Sequence, residues 1–152
     1  PRQEVTASPN IVVEKGPFTA SGTGELDTDG NNGLALMTAP YACALQYVDV
    51  YVDDSQTLNA SNGLTVRVFK LAKDETVAGT VAITTPTATE LAETLTIETE
   101  GFASVDLTTG TAGRNANWLE AGERVAVRVG ETGTGLDASG VTFTVTASNI
   151  RA

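Results

Sequence analysis

The chain has 152 residues, a length that suits one domain, and its 19 acidic and nine basic residues give a net charge of −10. Binding to nucleic acid or to an anionic membrane requires a surplus of Lys and Arg, so we expect neither partner. The chain has no histidine and one cysteine, Cys43, which excludes histidine-based catalysis, imidazole metal sites and an internal disulfide. We therefore expect a protein that is not an enzyme and needs no cofactor.

The first ten residues differ from the rest, because they carry Arg2 and Pro9 and show little alternation of apolar and polar side chains. We predict an extended N-terminal arm over residues 1–10 and a single β-domain over residues 11–152. Such an arm is either a frayed end or a segment that becomes ordered against a partner. In the second interpretation, the partner-binding residues are Arg2, Val5, Ile11 and Val12.

An acidic turn over residues 27–33 is the candidate for a cation site. The oxygen-bearing side chains of Asp27, Asp29 and Asn31 alternate in the sequence and are of the type that calcium prefers. An EF-hand loop would require glycine at the sixth position and glutamate at the twelfth, whereas Gly30 is fourth and Thr38 is twelfth. The motif is incomplete, so we expect a plain acidic turn without a bound metal.

Alternation of β-branched apolar residues with polar ones dominates the remaining chain and is typical of half-buried strands. Val48, Val50 and Val52 form the first such series. The pattern recurs over residues 64–68, 81–83, 94–98, 105–107, 125–129 and 141–145, with turns rich in Gly and Asn between these segments. It predicts an all-β, antiparallel, jelly-roll-like sandwich of about eight strands. The one alternative is a short helix over residues 89–95.

The polar side of the first series carries Tyr47, Asp49 and Tyr51. Exposed aromatic side chains beside an acid could stack on sugar rings, while the same residues could also pack beneath a second layer or in a subunit interface. For these tyrosines we favour burial by packing.

Trp118 is expected to anchor a loop over one end of the barrel, and Cys43, which lies among alanines, is expected to fill the core.

Three segments carry a resemblance to a known class of proteins: residues 64–70, residues 118–129, where a loop turns into a strand, and residues 140–146, the closing strand. Together they resemble the small jelly-roll proteins of tailed-bacteriophage virions, which include capsid decoration (cement) proteins and head-fibre modules. The similarity in pattern covers roughly residues 34–147.

This resemblance implies a non-enzymatic virion protein on the capsid exterior, made in the host cytoplasm. Its partners would be the major capsid protein lattice and other copies of itself, in homotrimers or dimers. The N-terminal arm or a sheet edge would clamp neighbouring shell subunits. The alternative function is a carbohydrate- or receptor-binding module, in a fibre or on a cell surface, with Tyr47, Tyr51 and Trp118 as its aromatic platform.

Overall fold

The computed structural model describes residues 10–28, 32–55, 58–73, 80–82, 89–108 and 117–149, and these residues form strands and connections without a helix. The strands are β1 (Ile11–Ser21), β2 (Leu26–Asp27), β3 (Asn32–Thr38), β4 (Cys43–Ser55), β5 (Leu64–Leu71), β6 (Thr80–Ala82), β7 (Thr89–Glu90), β8 (Leu95–Ile97), β9 (Gly101–Asp106), β10 (Trp118–Leu119), β11 (Arg124–Glu131) and β12 (Asp137–Asn149). The alternative helix over residues 89–95 is wrong, since this segment begins with β7, ends at the first residue of β8 and has no helical residue between them.

The strands form two sheets. Sheet A has the order β10-β4-β12-β1-β2, with β9 also paired to β4, and sheet B has the order β6-β3-β11-β5-β7, with β8 also paired to β5. The eight principal strands form four nested antiparallel pairs, β1 with β12, β3 with β11, β4 with β9 and β5 with β8. This pairing is that of a jelly roll, so the predicted all-β sandwich is confirmed.

The core lies between the sheets and consists of the inward side chains of each alternating series. Val48, Val50 and Val52 are fully buried, as are the matching residues of β12 around Phe143. Burial of each such side chain contributes about 1.5–3 kcal/mol relative to leaving it in water. Cys43 is also buried in this core, as the sequence predicted, and burial raises the pKa of its thiol.

A second, smaller cluster lies on the outer side of sheet B. Phe69, Leu71 and Ala126 are buried there, although their positions in β5 and β11 alternate with core residues. Arg67 covers part of this cluster, with its guanidinium carbon 5.1 Å from the centre of the Phe69 ring. Ala126 lies out of phase with the buried valines of β11 and is itself buried, so sheet B is covered on both sides at this point.

Gly140 marks a close approach between β12 and β4. Its φ of +64° lies in the left-handed region, and a Cβ at this position would lie 2.6 Å from the Cβ of Asp53. Glycine alone combines the backbone conformation with the lack of a side chain that this approach requires.

Candidate functional site

Strand β4 presents Tyr47, Asp49 and Tyr51 on the outer surface of sheet A, because the valines between them face the core. Tyr47 is 40% exposed and Tyr51 is 49% exposed. The expectation that these tyrosines are packed beneath another layer of the same domain is wrong for the part of the chain that the structure describes. Sheet B lies on the opposite side of β4 and leaves this surface open.

Strand β9 adds a third aromatic side chain that the sequence did not single out. Phe102 lies directly opposite Tyr51 in the β4–β9 register and is 69% exposed. Side chains in such a cross-strand pair lie about 5 Å apart at their Cβ atoms. A signal for Phe102 was present in the sequence. Val105 and Leu107 are buried, and Phe102 is out of phase with them in the two-residue period of a strand, so its side chain points outward.

A hydrogen bond joins the polar residues between these aromatic side chains. The hydroxyl of Ser104 donates to Oδ1 of Asp49 at 2.7 Å, across the same strand pair. Next along β9, Asp106 lies opposite Tyr47. Hydrogen bonds from the hydroxyl and backbone N–H of Thr108 lower the pKa of Asp106, so its carboxylate is charged over the neutral range.

Trp118 and Val12 lie on the same outer surface. Trp118 in β10 pairs with Ala44 of β4 and is 43% exposed, so its side chain lies on the outer side of sheet A. Asn117 holds β10 in place, because its side chain donates to the carbonyl of Leu45 at 2.8 Å and its carbonyl accepts from the N–H of the same residue. Val12 pairs with Thr146 and is 64% exposed.

We call these five residues the aromatic face. In the described residues they account for every large hydrophobic side chain that is exposed, and all of them lie on one side of one sheet: Val12, Tyr47, Tyr51, Phe102 and Trp118. From Tyr51 to Ala44, opposite Trp118, the face extends about 23 Å along β4. Single exposed hydrophobic residues are ordinary, whereas a group of this kind on one surface indicates a contact site.

The charged side chains that the strands of the aromatic face present outward are acidic. The outward acids on its strands include Glu14, Asp49, Asp53 and Asp106. Lys15 of β1 is exposed, and its pairing with Phe143, whose side chain faces the core, places its Cβ on the inner side of sheet A. No Lys or Arg among the described residues of these strands therefore points outward beside the aromatic side chains.

Apart from Lys15, the described basic residues lie on and beside sheet B. Arg67 and Arg128 lie opposite each other on β5 and β11, and Arg124 begins β11. Lys70 donates to the backbone carbonyl of Trp118 at 3.0 Å, and its Nζ lies 3.5 Å from Oε1 of Glu123. The two outer surfaces of the sandwich thus differ in charge, and the acidic one carries the exposed aromatic side chains.

The other predicted sites are placed only in part. In the candidate cation loop, Asp27 is half-buried and Thr28 is buried, while Asp29 and Asn31 lie outside the described residues. Within the residues that the structure describes, no three His, Cys, Asp or Glu side chains are grouped so that they could hold a metal ion.

Of the predicted arm, only Asn10 is described, so Arg2 and Val5 are not placed. Ile11 is half-buried and packs against the core.

No model of a known protein family matches the sequence, and no curated protein shows significant similarity to it. Within the described ranges, no helix has the length and apolar character needed to span a membrane.

Proposed function

We propose that this protein is a non-enzymatic virion protein that decorates a phage capsid by binding the lattice of its major capsid protein. The observation that supports this proposal is the aromatic face: a rigid jelly roll carries its exposed hydrophobic side chains on one surface. A decoration protein needs a stable domain and a docking surface, and it needs no reaction centre. The resemblance to jelly-roll decoration proteins supplies the identity of the partner.

The composition of the aromatic face is that of a protein contact. Tyr, Trp and Phe are enriched at the centres of protein interfaces, where each buries a large area with few rotatable bonds. Phe102 is the most exposed of the five and has no polar group with which to hold a hydrophilic ligand. Several copies on one shell, as homotrimers or dimers, would add their contacts and so strengthen attachment.

Attachment to shells is the direct test of this proposal. Tagged protein would be incubated with a lysate of its natural source, and the retained material would be imaged by negative-stain electron microscopy. We expect capsids or shell subunits on the beads with the unaltered protein, and a large loss with the double variant Tyr51→Ser, Phe102→Ser. Thr96→Ala, on the outer side of sheet B, is the matched control. Retention of glycans or cell-envelope fragments without particles would contradict the proposal.

The N-terminal arm provides a second, separate test. We expect that deletion of residues 1–10 leaves the domain folded, because β1 begins at Ile11, and weakens its attachment to shells. Equal attachment by the shortened and full chains would restrict the docking surface to the domain itself.

One observation favours a carbohydrate-binding module as a second candidate function. The hydrogen-bonded pair Asp49 and Ser104 lies between Tyr47 and Tyr51, so a polar pair is flanked by two aromatic rings. Such an arrangement can stack on sugar rings and hydrogen-bond their hydroxyls. Binding of glycans by the isolated protein, weakened by Tyr47→Ala or Tyr51→Ala, would favour this function over decoration.

A further inference from the structure

The aromatic face combines exposed hydrophobic side chains with acids of a single sign, and this combination restricts what can cover it. Glu14, Asp49, Asp53 and Asp106 point outward among or beside the five hydrophobic residues. Covering them with a neutral apolar surface would remove negative charges from water without a positive charge to pair with them, which costs several kcal/mol for each. The occupant must therefore bring positive charge together with flat or apolar groups.

We propose that the aromatic face binds an arginine-bearing surface of a different protein. This inference rests on the docking role proposed above and specifies the chemistry of the partner. Guanidinium is planar, stacks on aromatic rings and forms paired hydrogen bonds to carboxylates, so one side chain can satisfy both components of the face. A lysine ammonium supplies the charge but neither the stacking surface nor the paired hydrogen bonds.

The geometry brings acids and rings within reach of the same guanidinium. Asp106 lies directly opposite Tyr47 across β4 and β9, at a Cβ separation of about 5 Å. Asp49 lies two residues from both Tyr47 and Tyr51 on the same side of β4, which corresponds to about 7 Å. An arginine stacked on either tyrosine could therefore hydrogen-bond a neighbouring carboxylate.

The protein already contains this arrangement within its own fold, on sheet B. Arg67 lies with its guanidinium carbon 5.1 Å from the centre of the Phe69 ring, and its Nη2 is 2.6 Å from Oε2 of Glu90. Acid, arginine and ring thus form one stable group on a β-sheet surface. The aromatic face offers the acids and the rings of that group without the arginine.

A second copy of this chain is a poor occupant. Two aromatic faces brought together would place carboxylates of both copies against each other, and like charges across an interface cost several kcal/mol. Of the described basic residues of sheet B, Arg67 pairs with Glu90, Lys70 contacts both Glu123 and the carbonyl of Trp118, and Arg124 donates to the carbonyl of Ala72. The charge distribution therefore favours a different protein.

Trp118 makes the test direct, because it is the only tryptophan in the chain and it belongs to the aromatic face. Three synthetic peptides that alternate valine with arginine, lysine or glutamate would be titrated against the full chain while Trp118 fluorescence is recorded. We expect binding of the arginine peptide, weaker binding of the lysine peptide and none of the glutamate peptide. Affinity for the arginine peptide should fall as salt rises, because the pairs are partly exposed.

The double variant Asp49→Asn, Asp106→Asn keeps the shape of both side chains and removes their charge. We expect it to bind the arginine peptide about tenfold more weakly, or worse, since charge-assisted hydrogen bonds are roughly twice as strong as neutral ones. Glu98→Gln, an exposed acid between β8 and β9, is the matched control and should bind as the unaltered protein does. Unchanged affinity in the double variant, or equal binding of the glutamate peptide, would overturn the inference.

The proposals fail in different ways. If the double variant still attaches to shells as tightly as the unaltered protein at low salt, where charge pairs contribute most, the arginine inference is wrong and the decoration role stands. If the unaltered protein binds the arginine peptide as expected and attaches to no shell, the decoration role is wrong and the inference about the face stands. Sedimentation that shows self-association abolished by Phe102→Ser would assign the face to a second copy and overturn the inference.

Discussion

Arg67 on β5 donates two hydrogen bonds to Glu90 on β7, from Nε to Oε1 at 3.0 Å and from Nη2 to Oε2 at 2.6 Å. Both side chains are about one-third exposed, and the pair lies over the small cluster that Phe69 forms with Leu71 and Ala126. Strand β7 is only two residues long, and this pair adds to the backbone pairing that holds it against β5.

Glu90→Gln should therefore lower the free energy of unfolding by up to about 1 kcal/mol at neutral pH. The hydrogen bonds from Arg67 hold the pKa of Glu90 below its usual value. A carboxyl with a lowered folded-state pKa stabilises the protein above its unfolded pKa, and this contribution is lost as the pH falls through the folded pKa. Denaturant unfolding should show the difference from the unaltered protein shrinking below about pH 4. If the difference in the free energy of unfolding between Glu90→Gln and the unaltered protein stayed constant down to acidic pH, the pair with Arg67 would not be its cause. Glu98→Gln is the control.

Val50→Asp and Tyr51→Asp test the orientation of β4 with two adjacent residues. Val50 is fully buried, so a carboxylate there would cost several kcal/mol and should abolish soluble folding. Tyr51 is 49% exposed, so the second variant should remain folded with little loss of stability. Soluble expression and circular dichroism would show the contrast. A folded Val50→Asp protein would mean that the inward side of β4 is wrongly assigned.

Gly140→Ala should destabilise the protein by more than Gly135→Ala. Both glycines have φ in the left-handed region, +64° and +74°, but a Cβ at Gly140 would lie 2.6 Å from the Cβ of Asp53, whereas Gly135 has open space. The Gly135→Ala variant should therefore lose only about 1–2 kcal/mol of stability, which is the cost of placing alanine in the left-handed backbone region. Thermal unfolding of both variants would separate the two effects, and equal losses would argue against the close approach of β12 to β4.

Asn117→Ala should loosen β10 without unfolding the domain. It removes the hydrogen bond to the carbonyl of Leu45, worth about 1 kcal/mol, and leaves the backbone contact of Asn117 in place. Because Trp118 follows directly, its fluorescence should become more readily quenched by acrylamide. Unchanged quenching would show that the β10–β4 pairing alone orients Trp118.

Much of the fold could be predicted from sequence, because regular alternation reports burial directly. The valines of β4, β5 and β11 alternate without interruption and lie between the sheets as expected. Strands β1 and β3 were not predicted. β1 changes register twice, between Lys15 and Phe18 and between Phe18 and Ala20, so its apolar residues lose their phase. β3 shifts register against β11 in the same way.

The candidate site could be predicted only in part, since membership of a face depends on which strands are neighbours. Tyr47, Asp49 and Tyr51 share one strand, and their common side follows from its period of two. Phe102 and Trp118 reach the same surface through the pairing of β9 and β10 with β4, which no local pattern in the sequence specifies. Whether an aromatic side chain on a strand is exposed is decided by the layer above it, and sequence alone does not identify that layer.

The nested pairing of the sandwich has a consequence for the rate at which the chain folds. The β5–β8 pair is enclosed in sequence by β4–β9, that pair by β3–β11, and all of them by β1–β12. Each enclosing pair closes a longer loop and costs more chain entropy before its contacts form. Proteins dominated by such distant pairings fold in milliseconds to seconds, so we expect slow folding in which β1 is among the last strands to join.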